Sequence, residues 1–75
     1  MMYTFQRAGD LRSCETRPAS RGPGYELVIT EGRFARVEHF QDARSVENRQ
    51  YELRHAWLMH GWRTTDHASD VDERD

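Results

Sequence analysis

The chain has 75 residues, which is enough for one domain with a small core. Its formal net charge is −2 and its sequence pI is about 6.0, whereas nucleic-acid-binding domains usually exceed a pI of roughly 9. A single cysteine excludes an internal disulfide, and no apolar run approaches the length of a membrane span. We therefore expect a soluble, cytoplasmic chain that folds as one domain and has no membrane partner.

The N-terminal segment, residues 1–24, is basic, with four Arg against two acidic residues. Residues 2–6 alternate in character, which predicts a short strand with Tyr3 and Phe5 on one face. Residues 8–24 then include both Pro and three of the five Gly, a composition that interrupts regular structure. We therefore expect a loop or linker over residues 8–24.

A β-hairpin is predicted next, because residues 25–30 and 33–40 are rich in strand formers and flank a Glu-Gly turn. A three-residue connection with a bulge gathers the apolar side chains on one face. Its pairs are Ile29 with Ala35, Leu27 with Val37, and Tyr25 with His39. A tight two-residue turn would instead pair Leu27 with Arg36 and scatter the apolar side chains, so we expect the former register.

An amphipathic helix is predicted over residues 42–60, where Asp42 is a favourable N-cap and Gly61 suits a left-handed C-cap. Its core-facing stripe is Ala43, Val46, Gln50, Leu53, Trp57 and His60. The body of the domain should therefore span residues 25–63. The expected fold is α+β: a β-hairpin, extended to a three-stranded antiparallel sheet if the N-terminal strand joins, packed against one C-terminal amphipathic helix.

A second apolar stripe on the helix, Tyr51, Leu58 and Trp62, bears on function. One hairpin is too narrow to cover both stripes, so the N-terminal strand or a second copy of the chain covers the second, unless its side chains are exposed. A small domain has little stability to spare, which favours burial between copies. We therefore expect a non-enzymatic binding or assembly module that forms a homodimer, with a different protein partner as an open alternative.

Residue types that carry chemistry are present but are not grouped along the sequence. His39, His55, His60, His67 and Cys14 include ligand types for zinc. His55 and His60 stand five residues apart on the predicted helix and point in different directions, whereas paired helical ligands stand four apart. Cys14 lies in the expected linker, a segment too mobile to hold a general base beside the thiol. We expect no catalytic residue, no metal and no cofactor.

The alternative function is that of a nucleic-acid-binding accessory protein. Arg33, Phe34 and Arg36 lie on the predicted hairpin, and a β-ribbon that carries Arg and an aromatic residue can enter a groove or stack on bases. The acidic residues beside them and the low pI favour self-association instead. Residues 64–75 carry one Arg against five acidic residues, which predicts a disordered acidic tail.

Overall fold

Residues 1–65 are described by the computed structural model, in which five strands and one helix follow one another. The elements are β1 (Met2–Arg7), β2 (Asp10–Pro18), β3 (Tyr25–Glu31), β4 (Phe34–Phe40), α1 (Ala43–Met59) and β5 (Arg63–Thr64). The strands form one antiparallel sheet in the order β4-β3-β2-β1-β5, and α1 packs across one face. The predicted α+β class is confirmed, and the sheet has five strands rather than two or three.

The expected loop over residues 8–24 is wrong for residues 10–18, which form the central strand β2. Within this strand, Cys14 pairs with Tyr3 of β1 on one side and with Ile29 of β3 on the other. Cys14 is its one buried residue, so the sequence lacks the apolar alternation that marks a strand. Pairing on both sides, rather than its own apolar pattern, places β2 in the sheet.

The expected register between β3 and β4 is also wrong. The observed pairs are Glu31 with Phe34, Ile29 with Arg36, Leu27 with Glu38, and Tyr25 with Phe40. A two-residue turn joins the strands, formed by Gly32, whose φ is 63°, and Arg33. Val37 therefore faces away from α1, while Glu38 lies towards it and accepts hydrogen bonds from Arg49 at 2.9 and 3.3 Å. The ion pair between Glu38 and Arg49 therefore lies beside the helix, and Glu38 stands opposite Leu27, where the expected register places Val37.

The helix α1 confirms the predicted element to within one residue at each end. The Asp42 carboxylate caps it by accepting a hydrogen bond from the Ser45 N–H at 2.8 Å. Gly61, with φ 90°, follows its C-terminal end in the left-handed conformation. The buried residues of the helix are Val46, Gln50, Leu53 and Trp57. His60, expected on the same stripe, is exposed because it is the C-cap residue.

The core lies between α1 and the helix-facing side of the sheet. Its buried side chains are Phe5, Cys14, Leu27, Ile29, Val46, Leu53, Trp57 and Trp62. Phe5 meets Trp57 edge to face, with 5.3 Å between ring centroids, so the N-terminal segment belongs to the body of the domain. The body also extends to Thr65, whose N–H donates to the Thr4 carbonyl at 2.9 Å. The rest of the expected acidic tail, residues 66–75, lies outside the described residues.

Candidate interaction surfaces

Within residues 1–65, one carboxylate lies near both a hydroxyl and an imidazole: Glu26 Oε2 is 3.1 Å from Ser20 Oγ and 3.8 Å from His39 Nδ1. No three His, Cys, Asp or Glu residues of that part are grouped so as to hold a metal ion. Cys14 is fully buried, whereas the three histidines are exposed: His39 lies on β4, His55 on α1 and His60 at the C-cap of α1. His67 lies outside the described residues. The outer surfaces of the domain are therefore the candidates for function.

Glu26 is buried although it lies on the sheet face opposite α1. Its carboxylate accepts hydrogen bonds from the Ser20 N–H at 3.3 Å, the Ser20 hydroxyl at 3.1 Å and Arg17 Nε at 3.0 Å. The bond from the Ser20 N–H, followed by that from Arg17, lowers the pKa of Glu26. These contacts fasten the β2–β3 loop to the sheet, which explains the buried charge in structural terms.

The three residues of the predicted self-association stripe do not share one surface. Trp62 is 6% exposed and belongs to the core, whereas Tyr51 and Leu58 are 60% and 52% exposed. Gly61 turns the chain after the helix, so Trp62 does not continue the helical surface. Met59, which is 72% exposed, lies beside Leu58. The exposed helix patch is therefore Tyr51, Leu58 and Met59.

Four arginines gather at one end of the domain, because the β1–β2 turn, the β3–β4 turn and the end of α1 all lie on that side. They are Arg7, Arg12, Arg33 and Arg63, called here the arginine end. Within residues 1–65, none of the four has a carboxylate oxygen within 4.0 Å. Arg36, by contrast, lies 3.8 Å from Glu31 and 3.7 Å from Glu38. The arginine end therefore offers guanidinium groups that the described residues leave without an ion pair.

A surface groove of about 500 Å³ opens at the arginine end, lined in part by Arg12, Arg33, Phe34 and Trp62. The guanidinium of Arg12 lies over the Trp62 ring, 4.4 Å from its centroid, and Phe34 is 76% exposed. Asp10 and Glu31 also line the groove. Two residues of the nucleic-acid alternative, Arg33 and Phe34, thus border one groove, and the third is held in ion pairs.

Strand β4 forms one margin of the sheet, and its outer side pairs with no strand of the described chain. All seven of its residues pair with β3 on the inner side. Glu31 and Phe34 close a two-residue hairpin, so Phe34 and every second residue after it form their hydrogen bonds with β3. The N–H and C=O groups of the intervening residues, Ala35, Val37 and His39, therefore point outward. We refer to the outer side of β4, with these unpaired backbone groups, as the β4 edge.

The chain matches no protein-family model, no curated protein and no solved structure with which it was compared. In the described part of the chain, α1 is neither long enough nor apolar enough to cross a membrane. Three surfaces remain as candidates for function: the exposed helix patch, the arginine end and the β4 edge.

Proposed function

We propose that this chain is a non-enzymatic assembly module that self-associates. The strongest support is the β4 edge, a seven-residue strand whose outer side has no partner in the described structure. Such an edge presents free N–H and C=O groups to any strand of matching length. Phe34 and Val37, which are 76% and 43% exposed, add apolar surface to the same edge.

Self-association also suits a domain of this size. A 75-residue chain buries a smaller fraction of its surface than a large domain does, so its margin of stability is narrow. Association of two copies removes further apolar side chains from water and stabilises the folded state by mass action. The melting temperature should therefore rise with protein concentration.

The mass of the chain in solution tests this function. We expect light scattering to give a mass that rises from 8.9 kDa towards twice that value between about 10 and about 500 µM. The melting temperature, measured over the same series, should rise in parallel. A chain that stays at 8.9 kDa at the highest concentration contradicts self-association.

A second function, weak binding of single-stranded nucleic acid, is favoured by the arginine end. Guanidinium groups that lack carboxylate partners can contact phosphates, and the exposed ring of Phe34 can stack on a base. Residues 1–65 carry ten Arg against eight acidic residues, so the negative net charge comes from residues 66–75. The low pI of the whole sequence therefore does not describe this end of the domain.

Fluorescence anisotropy with a labelled, mixed-sequence RNA single strand tests this second function. Binding should be measurable at about 50 mM salt and weaken about tenfold at about 200 mM. Arg33→Ala should weaken binding, because Arg33 borders the groove. Arg44→Ala makes the same change of charge on the exposed first turn of α1 and should not. Equal effects of the two substitutions would argue against a site at the arginine end.

A further inference from the structure

We infer that two copies of the chain pair through β4, antiparallel to each other, about a two-fold axis at Val37. The inference rests on the proposed self-association and specifies its geometry. The occupant of the β4 edge is the β4 strand of a second copy, so the two sheets join into one. Because the axis is perpendicular to the sheet, both helices lie on the same face of the joined sheet.

Backbone geometry limits how two β4 strands can meet. The outward N–H and C=O groups belong to Ala35, Val37 and His39, so these residues must lie opposite one another in the two copies. With the axis at Val37, each Val37 lies opposite its counterpart and Ala35 lies opposite His39. Roughly six N–H···O bonds then join the copies, and all the outward groups of these three residues are used.

The side chains select among the registers that this backbone rule allows. An axis at Arg36 would place two Arg36 side chains opposite each other, and an axis at Glu38 would do the same with two Glu38 side chains. An axis at Val37 instead places Arg36 opposite Glu38, once on each side of the axis. Opposite charges stabilise a directly facing cross-strand pair, and like charges destabilise it. Of these three registers, β4 is complementary to itself only in the one centred on Val37.

The same register brings apolar side chains together on both faces of the sheet. On the helix-facing side, Phe34 lies opposite Phe40 of the second copy. Phe40 already packs against the core, so pairing extends the core across the edge, where Phe34 is otherwise 76% exposed. On the other face, the two Val37 side chains, each 43% exposed, meet at the axis. Aromatic and β-branched pairs of this kind stabilise antiparallel sheets.

The exposed helix patch is the other surface at which a second copy could bind, but it provides fewer kinds of contact than the β4 edge. Tyr51 already has partners in its own chain, because the His55 ring stacks on it at 6.1 Å and the Arg54 guanidinium lies 5.9 Å from its ring centroid. The backbone groups of a helix interior are bonded within the helix, so this patch cannot form backbone bonds between copies. The β4 edge supplies backbone bonds, opposite charges and apolar contacts together.

Val37→Pro tests the pairing, because proline removes the outward N–H at this position without removing a hydrogen bond to β3. The matched control is Val37→Thr, which keeps both the N–H and the β-branched shape. We expect Val37→Pro to stay folded by circular dichroism and monomeric at about 500 µM, while Val37→Thr still dimerises. A folded Val37→Pro variant that dimerises as strongly as the parent overturns the inference.

A charge reversal provides a second readout that remains usable if the proline variant unfolds. Arg36→Glu places carboxylates opposite each other on both sides of the axis and should weaken dimerisation about tenfold. Arg63→Glu makes the same change on β5, at the opposite margin of the sheet, and should leave dimerisation unchanged. Equal weakening by the two substitutions overturns pairing through β4.

Leu58→Asp separates failure of this geometry from failure of the proposed function. If the parent dimerises and Leu58→Asp alone makes it monomeric, self-association stands and pairing through β4 is overturned. Pairing through β4 requires that Leu58→Asp dimerises like the parent, because the helix patch is then not the interface. If the parent itself is monomeric at about 500 µM, the proposed function fails.

Discussion

The backbone N–H of Trp62 donates to the carbonyl oxygen of Trp57 at 2.9 Å, across the end of α1. Together with the bond from the Gly61 N–H to the Leu58 carbonyl at 3.1 Å, it completes a Schellman cap. This turn has Gly61 at φ 90° and carries Trp62 back into the core that contains Trp57. The burial of Trp62 therefore depends on one left-handed glycine.

Gly61→Val should lower the free energy of unfolding by about 1–2 kcal/mol, because a β-branched residue resists positive φ. Gly61→Asn is the matched control and should cost less, since Asn tolerates the left-handed region. Urea unfolding of both variants measures the difference. Equal stability of the Val variant and the parent would show that the helix end does not need this conformation.

The β1–β2 turn contains an alanine in an unfavourable conformation. Ala8 and Gly9 have φ values of 50° and 89°, the pattern of a type I′ turn, which favours Asn-Gly. Ala8→Asn should therefore raise the free energy of unfolding by about 0.5–1 kcal/mol. Ala19→Asn, at a position without positive φ, should give no such gain in the same urea titration. A destabilising Ala8→Asn would contradict the strain assigned to Ala8.

Gln50 joins the helix to the centre of the sheet. It is 3% exposed, and its Nε2 donates to the Cys14 carbonyl at 3.1 Å. Gln50→Met keeps a similar volume but loses this hydrogen bond, and should lower the free energy of unfolding by about 1 kcal/mol. Asn48→Met, on the exposed side of α1, should change it by less than about 0.5 kcal/mol. Equal values for the two variants would mean that the buried hydrogen bond adds no net stability.

Glu26 should make stability depend on pH. Its pKa is lowered from 4.5 by the Ser20 N–H and by Arg17, so its contribution is fully present above that value. The contribution is lost as the pH falls through the folded-state pKa. Glu26→Gln should therefore lose less stability than the parent between about pH 7 and about pH 3. An acid dependence of stability that is the same in Glu26→Gln and in the parent would contradict this role.

The helix could be predicted because its signals are local. The capping bond of Asp42 and the turn at Gly61 each involve residues close in sequence, so the residue types alone indicate where α1 begins and ends. Strand β2 depends instead on pairing with a neighbour on each side. Its side chains near Cys14 are polar, and it belongs to the sheet because β1 and β3 both bond to it. Backbone pairing of this kind leaves little trace in the apolar pattern of the strand itself.

The β4 edge could not be found from the sequence, because it depends on the register. The apolar pattern of the sequence favours the register in which the Val37 side chain faces the core. In that register, the N–H and C=O groups of Val37 bond to β3 and do not point outward from the sheet. In the structure, Arg49 holds Glu38 at the margin of the helix, and Val37 faces the other side. Only this alternation places the N–H and C=O groups of Val37 at the centre of the free edge. Trp62 lies in the core and not on the helix surface for a related reason: helical spacing does not continue beyond Gly61.

Amide hydrogen exchange, resolved by residue at two protein concentrations, tests pairing through β4 most directly. In the single chain, the N–H groups of Ala35, Val37 and His39 face outward, whereas those of Arg36 and Glu38 bond to β3 and provide an internal reference. We predict that exchange at the three outward positions slows about tenfold or more from about 10 to about 500 µM, while the reference positions are protected at both. Equally fast exchange of the Ala35, Val37 and His39 N–H groups at both concentrations would contradict pairing through β4.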